Sequence, residues 1–164
     1  MTAAKLLHEV VITAIVFKAG KYLIMRRSAN KKRFPLRWTV PGGHLETSDY
    51  TSTSKQTAEY WYNVLEKALV REVREEAGIA IKNIEYVTSL ATIHSDGTPS
   101  LVISCLAEHK SGKITLQKEE TDKYAWVSLK EARKYDLIDG IYDELVLAEA
   151  KRKGKKKRVW RRTK

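Results

Sequence analysis

The stretch that decides the fold of this chain is Arg71-Glu72-Val73-Arg74-Glu75-Glu76-Ala77-Gly78-Ile79. It closes a segment in which apolar residues recur every four positions: Trp61, Leu65, Leu69 and Val73. This spacing places them on one side of an α-helix, so it predicts an amphipathic helix through Ala77. Gly78 is the expected left-handed residue that ends the helix.

Three glutamates interrupt the apolar side of this helix near its carboxyl end. Glu72, Glu75 and Glu76 stand at i, i+3 and i+4, so their carboxylates share one face, roughly in line with Leu65 and Leu69. Like charges at this spacing repel by about 0.2–0.5 kcal/mol per pair on an exposed helix. A divalent cation offsets that repulsion, and carboxylate oxygens suit Mg²⁺ or Mn²⁺. The cluster therefore predicts a metal site.

A glycine turn upstream completes a known pattern. Its sequence is Val40-Pro41-Gly42-Gly43-His44-Leu45-Glu46. Together with residues 71–79 it resembles the signature of the Nudix hydrolases, G-x5-E-x7-R-E-U-x-E-E-x-G-U, where U is aliphatic. The second half matches at every specified position from Arg71 to Ile79.

The first half of the signature departs from the family pattern. Counting back from Arg71 places the first glutamate at Asn63, and Gly43 lies about fourteen residues too far upstream. We therefore expect an insertion at residues 47–60 that starts as a Thr/Ser-rich loop. From Gln56 the chain is expected to extend the helix toward its amino end. The missing glutamate could be replaced by Glu59, Asp49 or Glu66, or by no residue at all.

Composition and charge limit the classes of protein to which this chain can belong. With 164 residues, 43% hydrophobic and 31% charged, one globular domain is expected. The single cysteine, Cys105, excludes an intrachain disulfide and favours a reducing, cytoplasmic location. The longest apolar run, Val10–Phe17, is too short to cross a membrane. Removing the ten basic residues of 151–164 from the net charge of +11 leaves residues 1–150 near +1.

The remaining elements predict an α+β fold. Two β-hairpins are expected, one from Val10–Phe17 and Tyr22–Met25, the other from Glu85–Ile93 and Leu101–Ala107. A final amphipathic helix is expected over residues 139–150. The Nudix resemblance implies an α-β-α sandwich with a mixed β-sheet over residues 1–150. Residues 151–164 are expected to form a basic, disordered tail.

The resemblance also implies a function and a set of site residues. It implies hydrolysis of a pyrophosphate bond in a nucleoside diphosphate linked to another group: a nucleoside triphosphate, ADP-ribose, a nucleotide sugar or a dinucleotide. Mg²⁺, or Mn²⁺, would be held by Glu72, Glu75 and Glu76, with Glu72 as ligand or general base. The Gly42 carbonyl and a loop glutamate, Glu120 or Glu119, would complete the site. Arg71 would orient these carboxylates. Arg27 and Arg26 are expected on the substrate phosphates, and Glu46 beside the metal site.

Two other functions stay open. A catalytically silent Nudix domain could bind a nucleotide as a sensor, because the glutamate position holds Asn63. Alternatively the tail, with Trp160 among its basic residues, could make weak contact with nucleic acid. A homodimer is also open, since dimers are common in the family.

Overall fold

The computed structural model of this chain describes residues 7–155 and 159–163. The strands are β1 (Glu9–Lys18), β2 (Lys21–Arg27), β3 (Trp38–Thr39), β4 (Gly42–His44), β5 (Ala80–Ile93), β6 (Pro99–Ser111) and β7 (Thr121–Val127). The helices are α1 (Ser48–Thr51), α2 (Val64–Ala77), α3 (Leu129–Ala132) and α4 (Ile141–Arg152). No helix among the described residues is long and apolar enough to span a bilayer.

The seven strands form one mixed sheet. The main strand order is β3-β2-β1-β6-β5, with β4 paired to β1 and β7 paired to β2. β1 runs parallel to β6, whereas β1–β2, β1–β4 and β5–β6 are antiparallel. Both predicted hairpins are confirmed, and β5 and β6 are longer than the sequence indicates.

Helices cover both faces of the sheet. α2 buries Leu69 and Val73 against one face, in a cluster that includes Ile12, Met25 and Cys105. α4 buries Leu145 and Ala148 against the other face, with Ile15 and Ile24. Neighbouring strand residues point to opposite faces, so the apolar run of β1 supplies both clusters. This arrangement is the predicted α-β-α sandwich.

The predicted helical extension from Gln56 is wrong. α2 begins at Val64, after Asn63 in a left-handed conformation with φ of +57°. Trp61 therefore lies outside the helix, although its spacing matches Leu65 and Leu69. Its indole Nε1 donates to the Thr53 carbonyl at 2.9 Å, and its ring packs against Tyr50 at 5.4 Å. Trp61 therefore packs within the loop before α2, and its four-residue spacing from Leu65 does not reflect a helix.

Part of the basic tail contacts the domain. The Arg162 guanidinium binds both carboxylate oxygens of Asp139, at 2.7 and 3.0 Å. The backbone N–H and hydroxyl of Thr163 each donate to Asp143 at 2.6 Å. Arg162 and Thr163 of the predicted tail thus contact the residues at the start of α4. Residues 156–158 and 164 of the predicted tail lie outside the described residues.

Candidate active site

The glycine turn packs directly on α2. In β4, Gly42 and Gly43 pair with Thr13 and Ile12 of β1, which fixes the turn above α2. A Cβ added at Gly43 would lie 2.3 Å from the carboxyl carbon of Glu72. A Cβ at Gly42 would lie 2.3 Å from the Ile12 carbonyl oxygen. The contact at Gly42 is with backbone and cannot be relieved, so this position requires glycine, whereas a side chain at Gly43 would displace the Glu72 carboxylate.

Glu76 is the buried member of the acidic cluster. Its side chain points toward the glycine turn, where its Oε2 accepts a hydrogen bond of 3.0 Å from the Gly42 N–H. Burial raises the pKa of the Glu76 carboxyl to about 7. The negative charges of Glu72 and Glu120 act in the same direction, and the Arg27 cation opposes them. The charges of Glu72, Glu120 and Arg27 are therefore near enough to Glu76 to affect its pKa.

Arg71 holds the remaining carboxylates of the helix. Its Nη1 donates to Glu72 Oε1 at 2.9 Å and to Glu75 Oε2 at 3.1 Å. Its Nη2 donates to the His44 carbonyl at 3.0 Å, which ties α2 to the glycine turn. Glu72 is largely buried, whereas about half of the Glu75 side chain is exposed. Burial raises the pKa of Glu72, and Arg71 opposes that rise.

Asp49 completes the set of carboxylates around Arg71. Its two oxygens accept from Arg71 Nε and Nη2 in a bidentate ion pair, and only 3% of its side chain is exposed. Arg71 holds the pKa of Asp49 below its usual range. Asp49 lies six positions after Gly43, which is the spacing of the glycine and the first glutamate in G-x5-E. Counting forward from Gly43 therefore places Asp49 at the position of that glutamate. The other candidates, Glu59 and Glu66, are exposed.

Glu120 reaches the same site from the segment before β7. The Ser28 N–H donates to the Glu120 carbonyl at 2.9 Å, and its hydroxyl donates to the Glu119 carbonyl at 2.7 Å. These two bonds hold the segment beside the end of β2. The Glu120 carboxylate forms an ion pair with Lys31, a residue that sequence reasoning did not single out.

The predicted substrate-binding residues lie at different distances from the acidic cluster. Arg27 lies beside Glu76 and Glu120, and burial lowers its pKa. The structure does not bring Arg26 to the cluster: it makes a bidentate ion pair with Asp122, at 2.7 and 2.8 Å. Successive strand residues alternate faces, so Arg26 points away from the side that Arg27 occupies. Glu46 is exposed at the rim, close enough for its charge to raise the pKa of Glu72.

The donor set fits a hard divalent cation. The Glu72 and Glu76 carboxylates lie against the backbone of the glycine turn, and burial, together with neighbouring negative charge, raises the pKa of both groups. Within residues 7–155 and 159–163, no three Asp, Glu, His or Cys side chains converge as a ready-made ligand set. Each carboxylate instead has its own partner: Arg71, Lys31 or the Gly42 N–H. A bound cation would have to replace some of these partners.

Comparison with known proteins identifies the family. Residues 7–147 match the family described as the NUDIX domain. This chain belongs to the Nudix family. The match covers every site element described above, and it establishes the chain as a pyrophosphohydrolase of the Nudix type.

Individual relatives agree with this assignment. The Nudix chain is 27% identical over 143 residues to nucleoside triphosphatase NudI of Klebsiella pneumoniae strain 342, spanning 79% of this chain and 89% of the relative. A MutT NUDIX hydrolase from Burkholderia pseudomallei superposes with a TM-score of 0.69 at 20% identity, over 86% of this chain and 98% of that one. The NUDIX domain of Shewanella oneidensis NrtR, solved with ADP ribose, gives 0.64 at 19% identity, over 90% and 88%. The two structures confirm the predicted fold.

Proposed function

We propose that this Nudix chain hydrolyses a pyrophosphate bond in a nucleoside diphosphate linked to another group, using Mg²⁺ or Mn²⁺. The observation that carries the proposal is that Glu72 and Glu76 both lie against the glycine turn, Glu76 through the 3.0 Å hydrogen bond from the Gly42 N–H and Glu72 through its carboxyl group beside Gly43. Oxygen ligands next to a half-buried cation suit a metal-bound diphosphate, because the metal and the guanidinium both neutralise phosphate charge. Transfer to a phosphorus atom depends chiefly on positioning and charge neutralisation.

Each side chain has a distinct role in this mechanism. Glu76 and Glu72 would hold the metal from the rigid helix, with Glu75, the Gly42 carbonyl and Glu120 completing the ligand set. When bound, Mg²⁺ neutralises charge on the phosphate oxygens and lowers the pKa of its water. Glu72 or Glu120 would accept the proton of the attacking water.

Two arginines and one aspartate would act around the metal site. Arg71 would orient Glu72 and Glu75 through the contacts that it already makes. Arg27 would bind the substrate phosphates. Asp49 would replace the signature glutamate by fixing Arg71, and residues 50–63 would then be the inserted segment.

A nucleoside triphosphate is the substrate that we favour. The curated relatives named nucleoside triphosphatase align with this chain over 89% of their length. The test is a hydrolysis screen with Mg²⁺ and with Mn²⁺, covering nucleoside triphosphates, ADP-ribose, nucleotide sugars and dinucleotides. We expect metal-dependent release of pyrophosphate or phosphate from triphosphates. Turnover confined to ADP-ribose or a dinucleotide would reject the triphosphate assignment and retain the reaction class.

A nucleotide sensor is the second candidate function. The NrtR domain, whose structure holds ADP ribose, has a similar fold. Binding of ADP-ribose without turnover of any substrate in the same screen would favour the sensor. The intact ring of contacts around Arg71 and Glu76 supports the enzyme instead.

Metal should stabilise this protein more strongly at high pH. Glu76 has a pKa near 7 in the folded chain against 4.5 in the unfolded chain, so the folded state binds more protons between these values. Stability without metal should therefore fall as pH rises from 4.5 through 7, by at most about 3 kcal/mol from this group.

Thermal unfolding with and without Mg²⁺ at pH 5.5 and pH 8 tests this coupling. The metal competes with the proton for Glu76, so the rise in Tm should be larger at pH 8. In Glu76→Gln the difference between the two pH values should shrink. An equal Mg²⁺ effect at both pH values in the unsubstituted protein would contradict the role of Glu76.

The other expectations remain predictions. A cytoplasmic location agrees with the buried thiol of Cys105. Nucleic-acid contact by the tail would have to proceed with Arg162 engaged by Asp139 and Asp143. A homodimer has no described contact in its support.

A further inference from the structure

The segment between β2 and β3, residues 28–37, is anchored at two points beside the acidic cluster. We refer to it as the basic loop, since it contains Lys31, Lys32, Arg33 and Arg37. At one point Ser28 binds the backbone of Glu119 and Glu120. At the other, the Arg33 guanidinium donates to Glu9 at 2.9 Å and to Asp96 at 3.0 Å.

The anchored loop also fixes the arginine of the site. The Arg33 carbonyl accepts a hydrogen bond of 2.8 Å from Arg27 Nε. Arg27 is thus held by its Nε, and its two Nη groups remain for the phosphate of a substrate. The basic loop therefore has a defined position relative to the acidic cluster before any substrate binds.

Lys31 lies between the two anchors and pairs with a candidate metal ligand. Its ammonium group forms an ion pair with the Glu120 carboxylate, and the two side chains are 26% and 34% exposed. Glu120 in turn lies close enough to Glu76 to raise its pKa. A divalent cation on Glu120 would repel the neighbouring ammonium group. Lys31 has a long, flexible stem, so it can withdraw from Glu120 while the loop backbone stays anchored.

We propose that Lys31 is an exchangeable counter-ion that pairs with Glu120 until metal binds, and then pairs with the terminal phosphate of the substrate. This inference rests on the proposed function, and it names the residue that would select a substrate with a terminal phosphate. A terminal phosphate carries two negative charges and has no further group attached. The inner phosphates of ADP-ribose or a dinucleotide each carry one charge and are blocked on both sides. Lys31 therefore favours nucleoside triphosphates or diphosphates over those substrates.

The exchange predicts opposite effects of one substitution on two affinities. Lys31→Met removes a competitor for Glu120, so Mn²⁺ alone should bind about three- to tenfold more tightly. The same variant loses a phosphate contact, so a non-hydrolysable methylene-bridged nucleoside triphosphate with Mn²⁺ should bind about tenfold more weakly. Affinity for ADP-ribose should change by less than about twofold. Lys32→Met removes the same charge from an exposed position of the loop and serves as the matched control.

Calorimetric titration of the full chain measures all of these constants. Glu120→Gln provides the coupling test: in that background Lys31→Met should no longer tighten Mn²⁺ binding. The proposal is overturned if Lys31→Met leaves Mn²⁺ affinity unchanged or lowers it. It is also overturned if the variant weakens triphosphate and ADP-ribose equally, or if Lys32→Met has the same effects. Failure of the unsubstituted protein to hydrolyse any nucleotide would instead reject the proposed function, and the Mn²⁺ titration would still decide the exchange.

Discussion

Glu76→Gln is expected to lower kcat by about 10³-fold or more and to leave the fold intact. The substitution keeps the size of the side chain and an oxygen that can accept from the Gly42 N–H. It removes the charge that would hold the metal. Metal stabilisation of transition-state charge contributes several kcal/mol, and each 1.36 kcal/mol corresponds to a tenfold change in rate.

Steady-state kinetics on the substrate found in the screen, with circular dichroism and thermal unfolding, would measure this effect. The matched control is Glu66→Gln, an exposed glutamate in the first turn of the same helix. It should retain kcat within about twofold, because surface changes away from the site have small effects. Near-normal turnover by a folded Glu76→Gln variant would remove the metal assignment. Loss of the folded state at pH 8 would contradict the expectation that a neutral side chain is tolerated here.

Asp49→Asn is expected to lower kcat by about 10- to 100-fold, the usual cost of losing a residue that orients metal ligands. The asparagine fills the same space but no longer supplies a charge to Arg71. Arg71 would then be oriented only by Glu72, Glu75 and the His44 carbonyl. Misplacement of Glu72 should raise the metal concentration needed for half-maximal activity.

Rescue separates this positioning role from a purely structural one. Asp49→Glu restores the charge and supplies the residue type of the family signature, so it should recover much of the lost activity. Glu59→Gln, in the exposed part of the inserted segment, should have no effect on the metal requirement. If Asp49→Asn keeps both its normal kcat and metal requirement, another residue performs the role of the signature glutamate.

The second half of the site could be predicted from sequence because it depends on one helix. The spacing of Glu72, Glu75 and Glu76 follows from the 3.6-residue period alone, and Gly78 does take the left-handed conformation that ends the helix. The sheet and its two hairpins could also be predicted, because the alternation of apolar and polar residues and the presence of turn residues are local signals.

What could not be predicted depends on contacts between distant segments. The pairing of Lys31 with Glu120 joins residues 89 positions apart, and the different environments of Arg26 and Arg27 depend on the register of β2. The helical spacing of Trp61 predicts a start of α2 that is too early, because its indole instead donates to the Thr53 carbonyl in the loop before the helix. Counting backward from Arg71 leads to Asn63, whereas counting forward from Gly43 leads to Asp49, the residue that the structure pairs with Arg71.

The ion pair between Asp49 and Arg71 has an evolutionary consequence. It joins the two sides of residues 50–63, so both ends of that segment are fixed by groups outside it. Closing a loop of this kind costs little more as the loop lengthens. The segment can therefore be replaced, shortened or varied in sequence as a unit, under selection for the molecules that contact this surface. Because the Asp49–Arg71 pair lies outside the segment, such changes would leave the contacts of Arg71 with Glu72 and Glu75 in place.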